Sequence, residues 1–205
     1  FRSIRAAQQR LAEVTVRTPL YRLERARLRM AKLAEPDFDI YIKAESEQPI
    51  GSFKLRGAYN MVAQLSPEAL QRGVITYSSG NHAQGVAYAA RALGAKAVIV
   101  MPDNTPEIKM AATKALGAEI VTVGPSSSER QAKAEELARQ FGYAVIPPYD
   151  DAAIIAGQAT CAMEILEQLP SLDLILTPVS GGGLLSGTGA ASKLTAPAVQ
   201  VWGAE

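Results

Sequence analysis

The sequence predicts an open α/β fold, in which helices cover both faces of parallel sheets. Short apolar runs alternate along the 205 residues with segments of helical periodicity. Gly94, Gly117 and Gly142 each follow one of the helical segments, at the position where many helices end in a left-handed residue. Strands that are joined by crossover helices pair in parallel, so the alternation indicates parallel sheets.

The elements follow one another regularly after an amphipathic N-terminal helix over about 3–14. The predicted strands are 39–46, 74–79, 95–102, 118–124, 143–148, 172–179 and 199–204. The predicted helices are 52–65, 81–94, 105–117, 127–142, 151–169 and 184–194. The rhythm breaks at Pro147-Pro148, so we predict two α/β domains: a large one from 1–72 and 149–205, and a small one from 73–148.

The charge balance limits the kinds of partner that this chain can have. Lysine and arginine number 21 against 20 aspartate and glutamate residues, and no long run of one sign occurs. This composition gives no support for binding to nucleic acid or to a membrane surface. Small molecules are therefore the expected partners.

The cysteine and histidine content excludes two classes of site. One cysteine, Cys161, cannot form an internal disulfide framework, and with the single histidine it cannot form the usual Cys/His zinc sites. No apolar stretch reaches membrane-spanning length, so we expect a soluble, cytoplasmic protein. The chain begins with Phe1 and stops just after the apolar run 199–204, so we expect truncation at both ends.

The first polar loop follows a predicted strand and opens a predicted helix. It contains Ser78, Ser79, Asn81 and His82 on one turn. Ligands of parallel α/β proteins bind at the carboxyl ends of strands, where this loop is expected. A simpler interpretation is that Ser79 or Asn81 caps the helix, but this explains only one residue of the turn.

The second loop, Ser180–Gly187, contains three successive glycines, Gly181–Gly183, between a strand and a helix. Such a loop can fold around an anion, with free N–H groups and the positive end of a helix dipole directed at a phosphate. It lacks the Gly-Lys-Ser/Thr of a nucleotide P-loop and does not fit Gly-x-Gly-x-x-Gly. A tight turn that packs the strand on the helix is the alternative interpretation.

Lys54 is a candidate functional residue when it is considered together with these two loops. A lysine that forms a Schiff base needs an aldehyde, and the biological aldehyde that carries a phosphate is pyridoxal phosphate. A phosphate loop, a placed lysine and a polar loop for ring and substrate would complete such a site. A solvated surface lysine is the alternative for Lys54 alone.

Three motifs, in this order and spacing, resemble those of the fold-type II pyridoxal-phosphate enzymes. They are Ser-Phe-Lys-Leu-Arg-Gly-Ala at 52–58, Ser-Ser-Gly-Asn-His-Ala-Gln-Gly at 78–85, and the glycine loop. The match is to the serine/threonine dehydratase and serine racemase branch, since cysteine-synthase relatives carry Lys-Asp-Arg and Thr-Ser-Gly-Asn-Thr instead. The resemblance covers essentially the whole chain and implies a tryptophan synthase β-like architecture with pyridoxal 5′-phosphate as cofactor.

The resemblance also implies roles for individual residues. Lys54 matches the Schiff-base lysine, Phe53 the aromatic residue beside the ring, and Asn81 the residue that binds the ring's 3-hydroxyl oxygen. The residues that match the phosphate-binding loop are Gly181, Gly182, Gly183 and Leu184. Ser180 stands where the family usually has a further glycine.

The substrate and a metal ion are the remaining ligands that the resemblance implies. Ser78, Ser79 and His82 belong to the loop that receives the substrate carboxylate, and Ser79 matches the second acid/base of the racemases. Arg130 aligns with an arginine that reaches the carboxylate in racemase relatives, although its helical pattern equally favours a solvated arginine. Glu205 aligns with the first ligand of a divalent-cation site, for Mg or Ca.

The implied function is α,β-elimination of L-threonine, L-serine or a related β-hydroxy amino acid to a 2-oxo acid and ammonia. Lys54 is the expected base, and relatives are commonly homodimers. Three alternatives stay open: a serine racemase of the same fold, a β-replacement enzyme, and a non-catalytic α/β ligand-binding fragment. The Lys-Leu-Arg and Asn-His signatures argue against β-replacement.

Overall fold

The computed structural model describes residues 1–24 and 37–205, which form helices and three small sheets. The described helices are α1 (Arg2–Leu11), α2 (Lys54–Val62), α3 (Pro67–Arg72), α4 (Asn81–Ala92), α5 (Glu107–Ala115), α6 (Ser127–Phe141), α7 (Ala152–Gln168) and α8 (Gly183–Thr195). The described strands are β1 (Leu20–Arg22), β2 (Tyr41–Lys43), β3 (Val74–Tyr77), β4 (Ala97–Pro102), β5 (Glu119–Val123), β6 (Ala144–Val145), β7 (Leu174–Pro178) and β8 (Gln200–Ala204).

The four-stranded sheet has the order β5-β4-β3-β6, and all of its strand pairs are parallel. Its side chains alternate between two hydrophobic clusters: Val74 belongs to the cluster with α2 and α4, and Ile75 to the cluster with α6. A parallel sheet with helices on both faces is the predicted architecture, and this prediction is confirmed.

A second region positions the glycine loop. Strands β7 and β8 pair in parallel, and the loop between β7 and α8 carries Gly181–Gly183. Helix α8 packs on the long helix α7, where Ala191 and Ala159 share a buried cluster with Ile4 of α1. Helix α7 thus lies in contact with both α1 and α8.

The predicted strands and helices are confirmed, with shorter bounds for most of them. Gly94, Gly117 and Gly142 lie just beyond helices with φ of 68°, 88° and 72°, as predicted. The short elements β1 and α3 were not predicted. Strand β1 pairs with β2 in the antiparallel sense, so this small sheet is an addition to the predicted parallel pattern.

The predicted division into two domains stays a prediction. One hydrophobic cluster contains Val62, Val74, Ile146 and Ile154, and therefore spans both predicted boundaries, at 72/73 and at 148/149. None of the helices in residues 1–24 and 37–205 combines the length and the apolar composition of a membrane-spanning helix.

Candidate active site

Residues 146–149, here called the Pro-Pro segment, connect β6 to the start of α7. Ile146 is fully buried, and its N–H donates to the carbonyl of Ile75 at 2.8 Å. Its own carbonyl accepts from Thr76 Oγ1 at 2.7 Å and from His82 Nε2 at 3.0 Å. These three bonds fix the end of β6, so the residues that follow have a defined starting point.

Lys54 is the first residue of α2, and its amine lies against the Pro-Pro segment. Its Nζ donates to the carbonyl of Pro148 at 2.7 Å, and lies 5.5 Å from the ring centroid of Phe53. The side chain is half-buried, and this burial lowers the pKa of Lys54. A larger fraction of its amine is therefore neutral and nucleophilic near pH 7 than for a solvated lysine.

His82 is 3% exposed and lies at the start of α4. A carbonyl only accepts hydrogen bonds, so the bond to Ile146 requires the proton on Nε2 and leaves Nδ1 as an acceptor. Burial lowers the pKa of His82 to about 4; the Ile146 carbonyl opposes this shift, and the charge of Lys54 adds to it. His82 is therefore neutral near pH 7, and it brings no positive charge to the polar loop.

The polar loop leaves the N-terminus of α4 without a side-chain cap. Gly80 is the N-cap residue, and no side chain in the described ranges accepts from the first turn. Ser78 Oγ instead accepts from the N–H of Gly80 at 3.4 Å, and Asn81 is exposed. The interpretation of Ser79 or Asn81 as a helix cap is therefore wrong. The first N–H groups of α4 stay open for a ligand.

The glycine loop packs directly against Tyr149. A Cβ atom on Gly181 would collide with the Tyr149 ring, and one on Gly183 would lie 3.0 Å from the Tyr149 carbonyl oxygen. Gly182 is the N-cap of α8 with a φ of 83°, and α8, like α4, has no cap from any side chain that the structure describes. The N-terminus of α8 thus presents free N–H groups, as an anion-binding loop requires.

The Pro-Pro segment brings together three of the predicted site elements. Ile146 contacts His82, Pro148 contacts Lys54, and Tyr149 contacts the glycine loop. Phe53 precedes Lys54, and Leu184 follows the loop, half-buried. Parallel topology thus places the lysine, one polar loop and the glycine loop around one stretch of backbone.

Two predicted residues are not among those that the Pro-Pro segment contacts. Arg130 lies in α6, where its Nη2 donates to Ser127 Oγ at 2.7 Å and its Nη1 to the carbonyl of Pro125 at 3.3 Å. Glu205 is exposed beyond the end of β8. Among residues 1–24 and 37–205, no group of three or more His, Cys, Asp or Glu side chains could hold a metal ion.

Pro148 and Tyr149 are the site residues that sequence reasoning missed. The prolines indicate only a break in rhythm, and Tyr149 beside them belongs to no motif. A proline carbonyl has no side-chain signal, so its contact with Lys54 had no pattern to reveal it. Tyr149 packs against the glycine loop.

A family model described as "Pyridoxal-phosphate dependent enzyme" matches residues 11–205. The chain belongs to this family. The site residues also fit a phosphorylated aldehyde cofactor, because a half-buried lysine amine and an uncapped glycine loop lie on the same segment. The expected fold-type II α/β domain and pyridoxal phosphate as the family's cofactor are confirmed.

Several members of this family are similar to the chain. The L-threonine dehydratase biosynthetic IlvA of Pasteurella multocida is 49% identical over 177 residues, which are 86% of this chain and 34% of the relative. The L-threo-3-hydroxyaspartate ammonia-lyase of Saccharomyces cerevisiae is 45% identical over 166 residues, 81% of this chain and 51% of the relative. The solved structure of maize serine racemase is 37% identical with a TM-score of 0.92, and the match covers all of this chain and 60% of that one. The chain therefore spans about a third to a half of the length of these curated relatives.

Proposed function

We propose that the protein is a pyridoxal-phosphate-dependent ammonia-lyase that converts L-threonine, L-serine or a related β-hydroxy amino acid to a 2-oxo acid and ammonia. One observation supports this most: the Lys54 amine, with its lowered pKa, and the uncapped glycine loop both lie against the Pro-Pro segment. The similar threonine and 3-hydroxyaspartate enzymes support the substrate class and the reaction type.

In this proposal the cofactor is held at two ends. Lys54 binds it covalently, and the N–H groups of Gly181–Gly183 and Leu184 bind its phosphate. Phe53 lies beside the ring, and Asn81 donates to the ring oxygen. When bound, pyridoxal phosphate supplies an electron sink for the electrons left when the substrate loses its α-proton.

Once the substrate amine has replaced it on the cofactor, the released Lys54 amine would also be the base that takes the α-proton at its Nζ atom. Burial favours the neutral amine, and the Pro148 carbonyl gives the amine a fixed acceptor at 2.7 Å. Ser78, Ser79 and His82 line the loop proposed for the substrate carboxylate, where N–H groups at the start of α4 are the donors because His82 is neutral. Arg130 reaches that carboxylate only if it leaves Ser127 Oγ.

Assays of the full-length protein test the reaction. We expect a 2-oxo acid from L-threonine and L-serine, a near-visible absorbance band on adding pyridoxal phosphate, and the loss of both in Lys54→Ala. Lys133, which pairs with Glu136 on the surface of α6, provides the matched control variant Lys133→Ala. A band that survives Lys54→Ala would contradict the proposal, and absence of any band would favour a non-catalytic ligand-binding domain.

A racemase is the second candidate, favoured by the similarity to maize serine racemase and by the half-buried Ser79 in the polar loop. Here Ser79 would return a proton to the opposite face of the α-carbon. Assay of D-serine in the same reaction separates the two outcomes, and we expect Ser79→Ala to remove racemisation.

The remaining predictions come from the resemblance. We propose a homodimer, a cytoplasmic location, and a divalent cation, Mg or Ca, with Glu205 as one ligand. Sedimentation of the full-length protein tests the dimer through its mass. Repeating the measurement with a chelator, and with the variant Glu205→Gln, tests whether a bound ion affects that mass.

A further inference from the structure

Helix α7 lies between the lysine helix and the helix that follows the glycine loop. A Cβ atom on Gly157 of α7 would lie 2.5 Å from the carbonyl oxygen of Arg56 and 2.6 Å from the Cα of Gly57 in α2. A Cβ atom on Gly187 of α8 would lie 2.7 Å from the backbone N of Ala159. Backbone therefore meets backbone on both sides of α7, which makes α7 the spacer between Lys54 and the glycine loop.

Four charged side chains, each at most 13% exposed, meet beside the contact of α2 and α7. We call Lys43, Glu45, Arg56 and Glu164 the four-charge cluster. Arg56 is fully buried; its Nε and Nη2 donate to Glu45, and its Nη1 donates to Glu164, each at 2.7 Å. Lys43 Nζ donates to Glu164 Oε2 at 2.6 Å. The cluster contains two positive and two negative groups, so its net charge is zero.

The contacts within the cluster shift the pKa values of Arg56 and Glu45. Burial opposes the charged form of Arg56, but the hydrogen bonds that it donates to Glu45 and Glu164 outweigh this effect and raise the pKa of Arg56. Burial likewise acts to raise the pKa of Glu45, but Arg56 outweighs it and lowers that pKa. The contacts of Arg56 depend on the planar fork of the guanidinium, which fixes direction as well as distance.

Stability alone is a weak explanation for such a cluster. Burying charges carries a large desolvation cost, and well-packed apolar residues in the same place are often as stabilising or more so. What the cluster adds is geometry: Arg56 stands two residues after Lys54, on the opposite side of the same helical turn. The hydrogen bonds from Arg56 to Glu45 and Glu164 therefore fix the rotation of α2 about its axis. This rotation in turn sets the direction of the Lys54 side chain.

Neighbouring bonds fix the same helix along its length. Gln158 Oε1 of α7 accepts from the N–H of Gly57 at 3.3 Å, and Asn60 Nδ2 donates to the carbonyl of Ala153 at 2.7 Å. Both contacts are between α2 and α7. They limit sliding of the lysine helix, while the fork of Arg56 limits its rotation.

We infer that the four-charge cluster is a positioning device that sets the Lys54 amine relative to the glycine loop. This inference rests on the proposed function, in which Lys54 binds the cofactor that the loop also holds. Arg56 and Glu164 act through the backbone of α2 and α7 and touch neither the substrate nor the cofactor. No residue of the cluster is assigned to the reaction itself.

The test uses the full-length protein with Arg56→Lys, Glu45→Gln and the double variant Arg56→Met/Glu45→Gln. The double variant removes one ion pair and leaves Lys43 and Glu164, which are bonded to each other at 2.6 Å, so the charge balance is kept. Glu136→Gln, from the exposed pair with Lys133, is the control. Each protein is measured for unfolding midpoint, pyridoxal-phosphate dissociation constant, the fraction of Lys54 trapped by borohydride, and the pH midpoint of the cofactor absorbance band.

We expect the double variant to regain most of the unfolding midpoint that Glu45→Gln loses, because it leaves no buried charge without a partner. Its cofactor binding should nevertheless stay at least about tenfold weaker than wild type, with a shifted pH midpoint, since errors of about 1 Å in placing a reacting group have large effects. Arg56→Lys keeps the charge without the fork, so it should show the same shift. Recovery of cofactor binding in step with the unfolding midpoint would overturn the inference.

The control measurements distinguish this failure from that of the proposed function. If wild-type protein shows no borohydride trapping at Lys54, the proposed function fails, and the positioning inference fails with it. If wild type is trapped at Lys54 and all the cluster variants match it in affinity and pH midpoint, only the positioning inference is wrong.

Discussion

Lowering the pH from 7 to 5 should destabilise the protein through the single histidine of this chain. His82 is buried with a pKa of about 4, against 6.5 for an ordinary histidine. Between these two values the unfolded state binds the proton and the folded state does not, so the free energy of unfolding falls as the pH falls. The loss is about 2 kcal/mol between pH 7 and 5, and about 3 kcal/mol once the pH is below 4.

The assay compares full-length wild type with His82→Gln at pH 7, 6 and 5. Glutamine can still donate an N–H to the Ile146 carbonyl but does not titrate, so the variant isolates the proton uptake. Wild type should lose about 4–8 °C more in unfolding temperature than His82→Gln over this range. Equal losses in the two proteins, or an imidazole that titrates near 6.5 in the folded protein, would refute the argument that His82 is held neutral.

Three further changes test other parts of the structure. Gly181→Ala should weaken pyridoxal-phosphate binding by about 1–3 kcal/mol in a spectroscopic titration, because its Cβ collides with the Tyr149 ring, and adding Tyr149→Ala should restore binding in part. Asp151→Ala should cost about 1 kcal/mol in denaturant unfolding, since Asp151 caps α7 through the N–H groups of Ala153 and Ile154, whereas Asp151→Asn should cost less. Burial raises the pKa of Cys161 to about 12, so a thiol reagent should label it only after unfolding.

The parallel α/β architecture was predictable because it follows from periodicity. Apolar runs and glycine stops are repeated along the chain, and they predicted the strands from β3 to β8 and the helices between them. The elements that were missed, β1 and α3, have three and six residues, too few for a periodic signal. Tertiary context decides such short elements.

The candidate site was likewise predictable only in part. Lys54 and the two loops were predictable from their side chains, their glycines and their positions at strand ends. The partners of these groups were not, since Lys54 and His82 both bind backbone carbonyls, of Pro148 and Ile146. Any residue type supplies a carbonyl, so only the folded chain reveals which one is used.

The Pro-Pro segment also affects the edge of the four-stranded sheet. Strand β6 is an edge strand of only two residues, and Pro147 and Pro148 follow it closely. A proline has no N–H to offer to an additional strand, so the prolines block strand addition beyond Ile146. The segment that brings the Pro148 carbonyl to Lys54 thus also protects this border of the sheet from pairing with other molecules and from aggregation.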